Sequence, residues 1–197
     1  MTLTERLVEQ CRRPKGLLGG VMIGFMNLMD TGLTGWAVSQ INTADSTATI
    51  LDIGCGGGKT VRTLSKAFPQ AKVFGVDYSE DAVRLTKSKN KSGMRAGRVN
   101  IWQADVCALP FEDNLFTCIT AIRTHYFWPN LPQGLREAFR VLQKGGRLLL
   151  LSELYKISYH MAAYNTNASL SGLLYETGFR SVKVQERGGC VCVTATK

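Results

Sequence analysis

Residues 49–60, Thr-Ile-Leu-Asp-Ile-Gly-Cys-Gly-Gly-Gly-Lys-Thr, constrain the fold more than any other stretch of the chain. The first five read as a buried strand, apolar and branched at Ile50, Leu51 and Ile53. The loop that follows carries glycine at four of its five positions, and residues 59–68 read as a helix with Val61, Leu64 and Phe68 on one face. Strand, glycine turn and helix form a geometry that aims a helix N-terminus and bare backbone N–H groups at an anionic or dipolar ligand. Glycine permits both the close approach and a positive φ. Spacing then separates the ligand classes. A phosphate-binding P-loop ending in Gly58-Lys59-Thr60 needs its first glycine at position 53, which is Ile53. The dinucleotide pattern G-x-G-x-x-G fits Gly54 and Gly56, but its third glycine falls on Lys59. The pattern present is acid-x-Gly-x-Gly-x-Gly, made by Asp52, Gly54, Gly56 and Gly58.

A second acid stands at the matching place one strand later. Residues 71–76 read as a strand that ends in Asp77-Tyr78-Ser79, and Asp77 lies 19 residues past Gly58. A carboxylate at the end of the second strand of an open α/β sheet can accept both hydroxyls of a ribose. Tyr78 can lie against an adenine ring, and Ser79 can cap the next helix, with Glu80 and Asp81 in its first turn. A third strand over 99–102 leads to Asp105-Val106, and a fourth over 115–122 delivers Arg123-Thr124-His125-Tyr126-Phe127-Trp128-Pro129-Asn130. This aromatic loop falls at the carboxyl end of its strand, the edge where ligands sit in such sheets.

The glycine loop resembles the first motif of class I S-adenosylmethionine (SAM) dependent methyltransferases. The run Ala104-Asp105-x-x-x-Leu109-Pro110-Phe111-x-Asp113-x-x-Phe116 is similar to the third motif of their type 11, ubiquinone- and menaquinone-C-methyltransferase-like branch. Arg140-Val141-Leu142-Gln143-Lys144-Gly145-Gly146 and Gly178-Phe179-x-x-Val182 also match it; Lys144 replaces a usual proline, and Thr117 a usual aspartate. The resemblance covers residues 45–197. It implies SAM as cofactor and S-adenosylhomocysteine as product, with Asp52, Gly54, Cys55, Gly56, Gly58, Asp77, Tyr78, Asp105, Val106 and Arg123 around the cofactor. Asp105 would meet the adenine amino group, Val106 would pack on the ring, and Arg123 would lie near the methionine moiety. His125 and Tyr126 are the candidates for acceptor contact or general base; anchoring of the loop is an equal reading for His125.

The expected fold is α/β: a Rossmann-like open sheet of about seven strands, mostly parallel with an antiparallel C-terminal strand, and helices on both faces. A helix over 135–144 stopped by Gly145-Gly146, a fifth strand over 147–152, a helix over 168–177 and a closing strand pair complete it. Residues 153–167, with Tyr155, Tyr159, His160, Met161 and Tyr164, are the candidate second wall of the pocket. The domain division is an N-terminal helical cap over 1–44, where Met22, Met26 and Met29 share a helical face, and a SAM-binding domain over 45–197.

At 197 residues the chain can bury a sizeable core. The apolar run after Arg12-Arg13 is broken by glycines and too short to span a bilayer, and no cleavage site follows it. The net charge of +9 admits an anionic partner or peripheral membrane contact. The basic run from Arg84 to Arg98 carries no aromatic for base stacking, which disfavours nucleic acid. Six cysteines without a C-x-x-C pair, and only His125 and His160, offer no metal-binding spacing and suit a reduced, cytoplasmic protein. The expected reaction moves a methyl group to a small, partly apolar or aromatic acceptor. A SAM-binding protein without catalysis is the alternative, and an NAD-dependent oxidoreductase a more distant one. Oligomeric state is not written in the sequence.

Overall fold

The computed structural model describes residues 32–41 and 48–197. The cap residues 1–31, with their methionine face, and the start of the expected cap boundary at 42–47 lie outside the described residues. The elements are α1 (Leu33–Ser39), β1 (Thr49–Ile53), α2 (Lys59–Ala67), β2 (Lys72–Asp77), α3 (Glu80–Lys89), α4 (Lys91–Arg95), β3 (Val99–Gln103), β4 (Phe116–Ile122), α5 (Leu131–Val141), β5 (Leu142–Glu153), α6 (Leu154–His160), α7 (Asn167–Thr177), β6 (Arg180–Arg187) and β7 (Cys190–Thr196).

The seven strands form one sheet in the order β3-β2-β1-β4-β5-β7-β6. Strands β1 to β5 pair in parallel, and β7 runs antiparallel to both of its neighbours. This is the expected Rossmann-like architecture. Alternation along the central strands feeds two cores. Leu51, Ile53, Ile119, Leu148 and Leu150 face α5 and α7 through Leu135, Ala138, Val141, Leu170 and Leu174. Ile50, Cys118, Leu149 and Leu151 face α2 and α3 through Val61, Leu64 and Val83. Ala37, Val38 and Ile41 of the α1 region belong to that second core. Strands buried on both faces in this way read as continuous apolar runs.

Two local differences from expectation have physical causes. The helix before β5 runs over Leu131–Val141, because Asn130 caps it by accepting from the Gln133 N–H (3.0 Å) and Pro132 fits its first turn. Its end is set by Leu142, which is already extended and pairs with Phe116. Gly145-Gly146 therefore do not stop a helix. They lie in an irregular start of β5, where the Gly145 N–H donates to the Lys197 carbonyl (2.9 Å) and Lys197 N–H to that of Gly146 (3.0 Å). Thr117, the departure from the family pattern, sits at the amino end of β4. There it bonds to the Thr49 backbone in both directions, at the sheet edge opposite the glycine loop.

Candidate active site

Parallel pairing brings the carboxyl ends of β1 to β5 to one edge. The glycine loop is clamped there from behind. Gly54 and Cys55 N–H both donate to the Val76 carbonyl (2.8 and 2.9 Å), Gly56 N–H donates to Asp77 Oδ2 (2.8 Å), and Gly58 N–H donates to the Cys55 carbonyl (2.8 Å). From α3, Thr86 Oγ1 donates to the Gly56 carbonyl (2.7 Å) and Asn90 Nδ2 to that of Gly58 (3.2 Å). The bare N–H groups expected of this loop are therefore spent inside the protein at these four positions, and the phosphate-cradle use of such a loop goes with them.

The glycines have separate reasons. A Cβ on Gly54 would lie 2.0 Å from Thr124 Oγ1, so the aromatic loop after β4 can pack directly on the glycine loop only because Gly54 has no side chain. A Cβ on Gly56 would meet nothing nearer than 3.9 Å, which leaves an open approach on that side.

Three carboxylates stand along this half of the edge. Asp52 is buried, 1% exposed; its Oδ1 accepts from Thr120 Oγ1 (2.8 Å), and its Oδ2 has no hydrogen-bond partner. Burial, helped by the nearby Asp77 charge and opposed by the Thr120 bond, pushes its pKa up to about 7. Asp77 is half-buried and accepts from Gly56 and from Ser79 N–H (2.9 Å). Burial raises its pKa against those two bonds. Each oxygen accepts one such bond and keeps capacity for another, as a diol would need. Asp105 Oδ1 accepts from Cys107 N–H (2.9 Å), and Val106 beside it is buried. That segment is fixed by Arg140, which donates to the Leu109 and Phe111 carbonyls (3.0 and 2.7 Å), and by Glu137, which accepts from Leu109 N–H (2.8 Å). Tyr78 is 55% exposed next to Asp77, its ring open to solvent. Cys55 is buried, and burial raises its thiol pKa.

The half beyond β4 is built differently. Arg123 has a left-handed backbone, φ +61°, uncommon for a residue with a side chain. Its N–H donates to the Leu151 carbonyl (2.7 Å), and its guanidinium pairs with Glu153 Oε1 at 2.6 Å. Glu153 is 8% exposed, also receives Lys156 at 3.2 Å, and keeps its Oε2 buried without a hydrogen-bond partner. Burial alone would raise the Glu153 pKa; the Arg123 and Lys156 charges outweigh it and hold the carboxyl below its usual range. Lys156 also donates to the Tyr126 hydroxyl (3.1 Å), and the Tyr126 ring stacks on His160 with centroids 5.7 Å apart. His125 is 2% exposed, with Ser152 Oγ 3.1 Å from Nε2 and 3.3 Å from Nδ1. Burial drives its pKa down to about 4, so the ring is neutral. Trp128 packs closely on Gly134, where a Cβ would come within 2.5 Å of the indole, and its buried Nε1 has no hydrogen-bond partner.

Asp52, Asp77, Asp105, Tyr78 and the glycines thus share one end of the edge, and Arg123, His125 and Tyr126 the other. Sequence reading missed Glu153, Lys156, Ser152 and Thr124. For Glu153 alone there was a faint signal, a charge opposite to that of Arg123 at the end of the neighbouring strand; Lys156, on α6, had none.

Residues 50–146 match a family model described as a methyltransferase domain. The ubiquinone/menaquinone biosynthesis C-methyltransferase UbiE of Geotalea daltonii is 31% identical over 145 residues, 70% of this chain and 61% of that protein. A demethylmenaquinone methyltransferase of Porphyromonas gingivalis is 32% identical over 123 residues, 61% of this chain and 50% of that protein. The chain therefore spans half to three-fifths of the length of these curated relatives. A SAM-dependent methyltransferase from Aquifex aeolicus has the same fold, with a TM-score of 0.72 at 20% identity over 88% of this chain and 97% of that one. The chain belongs to the class I SAM-dependent methyltransferases.

As a member of that family its cofactor is SAM, and the described residues of this methyltransferase fit it. The buried Asp52 Oδ2 without a partner is an acceptor prepared for a cationic donor. The open side of Gly56, whose N–H is held by Asp77, leaves room for a ligand's close approach. Three carboxylates on this half repel a polyphosphate and attract a sulfonium and an ammonium. Among the described residues no cluster of His, Cys, Asp and Glu could hold a metal ion, and no helix is long and apolar enough to cross a membrane.

Proposed function

We propose that this chain transfers the methyl group of SAM to a small, partly apolar or aromatic acceptor. The observation that carries the reading is the glycine loop with its N–H groups turned inward and carboxylates on either side. Asp77 would take the ribose hydroxyls, Asp105 the adenine amino group, Val106 and Tyr78 the ring, and Asp52 the ammonium. When bound, SAM supplies a methyl group on a positively charged sulfur, open to in-line displacement. The protein's work is then alignment and exclusion of water. Arg123, Tyr126 and Trp128 would line the far side, where the acceptor would enter. The quinone-methylating relatives make a quinone-like ring a natural acceptor to try first.

Thermal unfolding with S-adenosylhomocysteine, SAM, NADH and ATP, each added separately, tests the cofactor. A ligand at about 100 times its dissociation constant adds roughly 2.7 kcal/mol, a rise on the order of 5–10 °C at this size. The expected outcome is a rise with the first two only, lost in Asp77→Ala. A rise with NADH or ATP instead would sink the reading. Turnover on a panel of phenols, quinols, amines and thiols then separates an enzyme from a SAM-binding protein without catalysis.

A further inference from the structure

Glu153 and Lys156, beside the ends of β4 and β5, have hydrogen-bonding capacity left over, and the two are complementary. Lys156 has three N–H donors; Glu153 and the Tyr126 hydroxyl take two of them. Glu153 offers Oε2, buried and without a partner, on the same carboxylate that Lys156 grips through Oε1. One donor and one acceptor, side by side, suit a single hydroxyl group. Its oxygen would accept from Lys156 while its hydrogen is donated to Glu153. The surroundings suit an aromatic carrier. Lys156 lies 5.4 Å from the Tyr126 ring and 5.8 Å from the ring of Tyr155, which is 67% exposed, and Tyr159 beyond it is 70% exposed.

Resting on the methyl-transfer reading above, we propose that Glu153 and Lys156 form the acceptor-hydroxyl site, and that the acceptor is an acidic hydroxyl compound, a phenol or an enol. Glu153 Oε2 takes the proton as the O–H bond breaks. The electron pair stays on the acceptor oxygen, beside the Lys156 ammonium. Two cations against one carboxylate give this half of the site a surplus positive charge, which persists when the proton passes from the acceptor to Glu153 and then faces the oxyanion. That surplus favours an oxyanion and repels an amine in its ammonium form. Arg123 and Lys156 hold the Glu153 carboxyl below its usual range, so proton transfer to it is uphill for any hydroxyl, least for an acidic phenol or enol and most for an aliphatic alcohol. His125 has the opposite character: its ring is enclosed and already engaged with Ser152.

The test uses the full chain loaded with S-adenosylhomocysteine and titrated with 4-nitrophenol, whose phenolate absorbs visible light, or with its ether analogue 4-nitroanisole. The expected result is a preference for the phenol of roughly ten- to a hundredfold, the size of a hydrogen bond to a charged group, with the bound probe shifted toward phenolate. Lys156→Met should abolish the phenolate shift, Lys156→Arg should keep most of it, and Glu153→Gln should lower the preference. Retained S-adenosylhomocysteine binding shows that each variant is folded. With that ligand bound, no binding of the phenol, equal binding of phenol and ether, or an unchanged shift in Lys156→Met overturns the inference and leaves the cofactor assignment standing. Failure of the wild type to bind S-adenosylhomocysteine overturns both.

Discussion

At the ends of β1, β2 and β3 the site is made of backbone and carboxylate. At the ends of β4 and β5 it is made of aromatic rings and paired charges. In the first half, contacts run between a loop and the strand or helix that follows it: Gly54 and Cys55 to Val76, Gly56 to Asp77, Gly58 to Asn90. In the second they cross from the segment after β4 to the end of β5 and the start of α6, Arg123 to Glu153, His125 to Ser152 and Tyr126 to Lys156. The first half carries unneutralised acid and suits a cation; the second carries surplus base and suits an anion. A reaction that brings a sulfonium to an oxyanion needs both signs, held apart on one sheet edge. On the proposed reading the acceptor meets only the side-chain half, so that half sets which acceptor is used.

The junction between the halves is the sharpest place to break the comparison. Gly54→Val puts a branched side chain at φ +76° and onto Thr124 Oγ1. Overpacking and a forced left-handed backbone together should cost roughly 3–5 kcal/mol, read as a fall in Tm on the order of 10 °C. Gly56→Ala has open space at its Cβ but shares the left-handed backbone, φ +49°, so it should cost only the backbone part, about 1–2 kcal/mol or a few °C in Tm, and lose S-adenosylhomocysteine binding. Combining Gly54→Val with Thr124→Gly should recover the overpacking part of the loss and not the backbone part. If Gly54→Val unfolds no earlier than Gly56→Ala, the two halves are not in contact through Gly54.

Glu153→Gln comes next. It leaves Arg123 and Lys156 enclosed without a counter-charge. Their side chains keep 14–15% exposure, so the full penalty for a broken buried pair is discounted to about 2–3 kcal/mol. Lys156→Met leaves the Arg123–Glu153 pair intact and should cost about 1 kcal/mol. Denaturant unfolding measures both. Equal costs would show that Glu153 is not the centre of the cluster. Asp77→Ala should cost about 2 kcal/mol, since it frees the Gly56 and Ser79 N–H groups. It should also weaken S-adenosylhomocysteine far more than Lys156→Met does, as isothermal titration of both variants would show.

These contrasts also explain what could be read in advance. The glycine loop, Asp77 and Asp105 were legible because each lies at a strand end that its own neighbourhood in sequence defines. Sequence reading went wrong over the loop's N–H groups: a glycine run signals donors, but only the fold shows Val76 and Asp77 consuming them. Glu153 and Lys156 were invisible for a related reason. Their meeting with Arg123 and Tyr126 depends on the β4–β5 register, Ile122 against Leu151. That register follows the irregular start of β5 at residues 142–146, where a helix stop was expected. Aromatic density drew attention to residues 153–167, yet the chemistry there lies as much in an acid and a lysine with no motif around them.

The smallest effect per step of measurement, under about 1 kcal/mol for each half unit of pH, separates the halves by pH. Asp52 keeps its proton in the folded state up to about pH 7, but loses it near the ordinary carboxylate value when unfolded. Between about pH 4 and 7 the folded protein thus binds more protons at this site, and the Asp52 contribution to stability falls as pH rises. His125 does the reverse. Folded, it stays neutral down to about pH 4; unfolded, it takes a proton below its usual 6.5. Over about pH 4 to 6.5 its contribution rises with pH. The two slopes oppose each other in the wild type, each limited to about 1.4 kcal/mol per pH unit. Asp52→Asn should therefore make stability climb more steeply with pH across that window, and His125→Asn should make it climb less or fall. Urea midpoints at half-unit steps of pH would show this as two curves diverging on opposite sides of the wild type. Ligand binding carries the same contrast further. A cationic donor on Asp52 Oδ2 expels its proton, so the wild-type affinity for S-adenosylhomocysteine should weaken as pH falls below 7. Asp52→Asn should remove that dependence and His125→Asn should keep it. If instead the histidine variant alone flattened the affinity profile, the ligand's ammonium would belong to the β4–β5 half, and the division of the site by charge would fail.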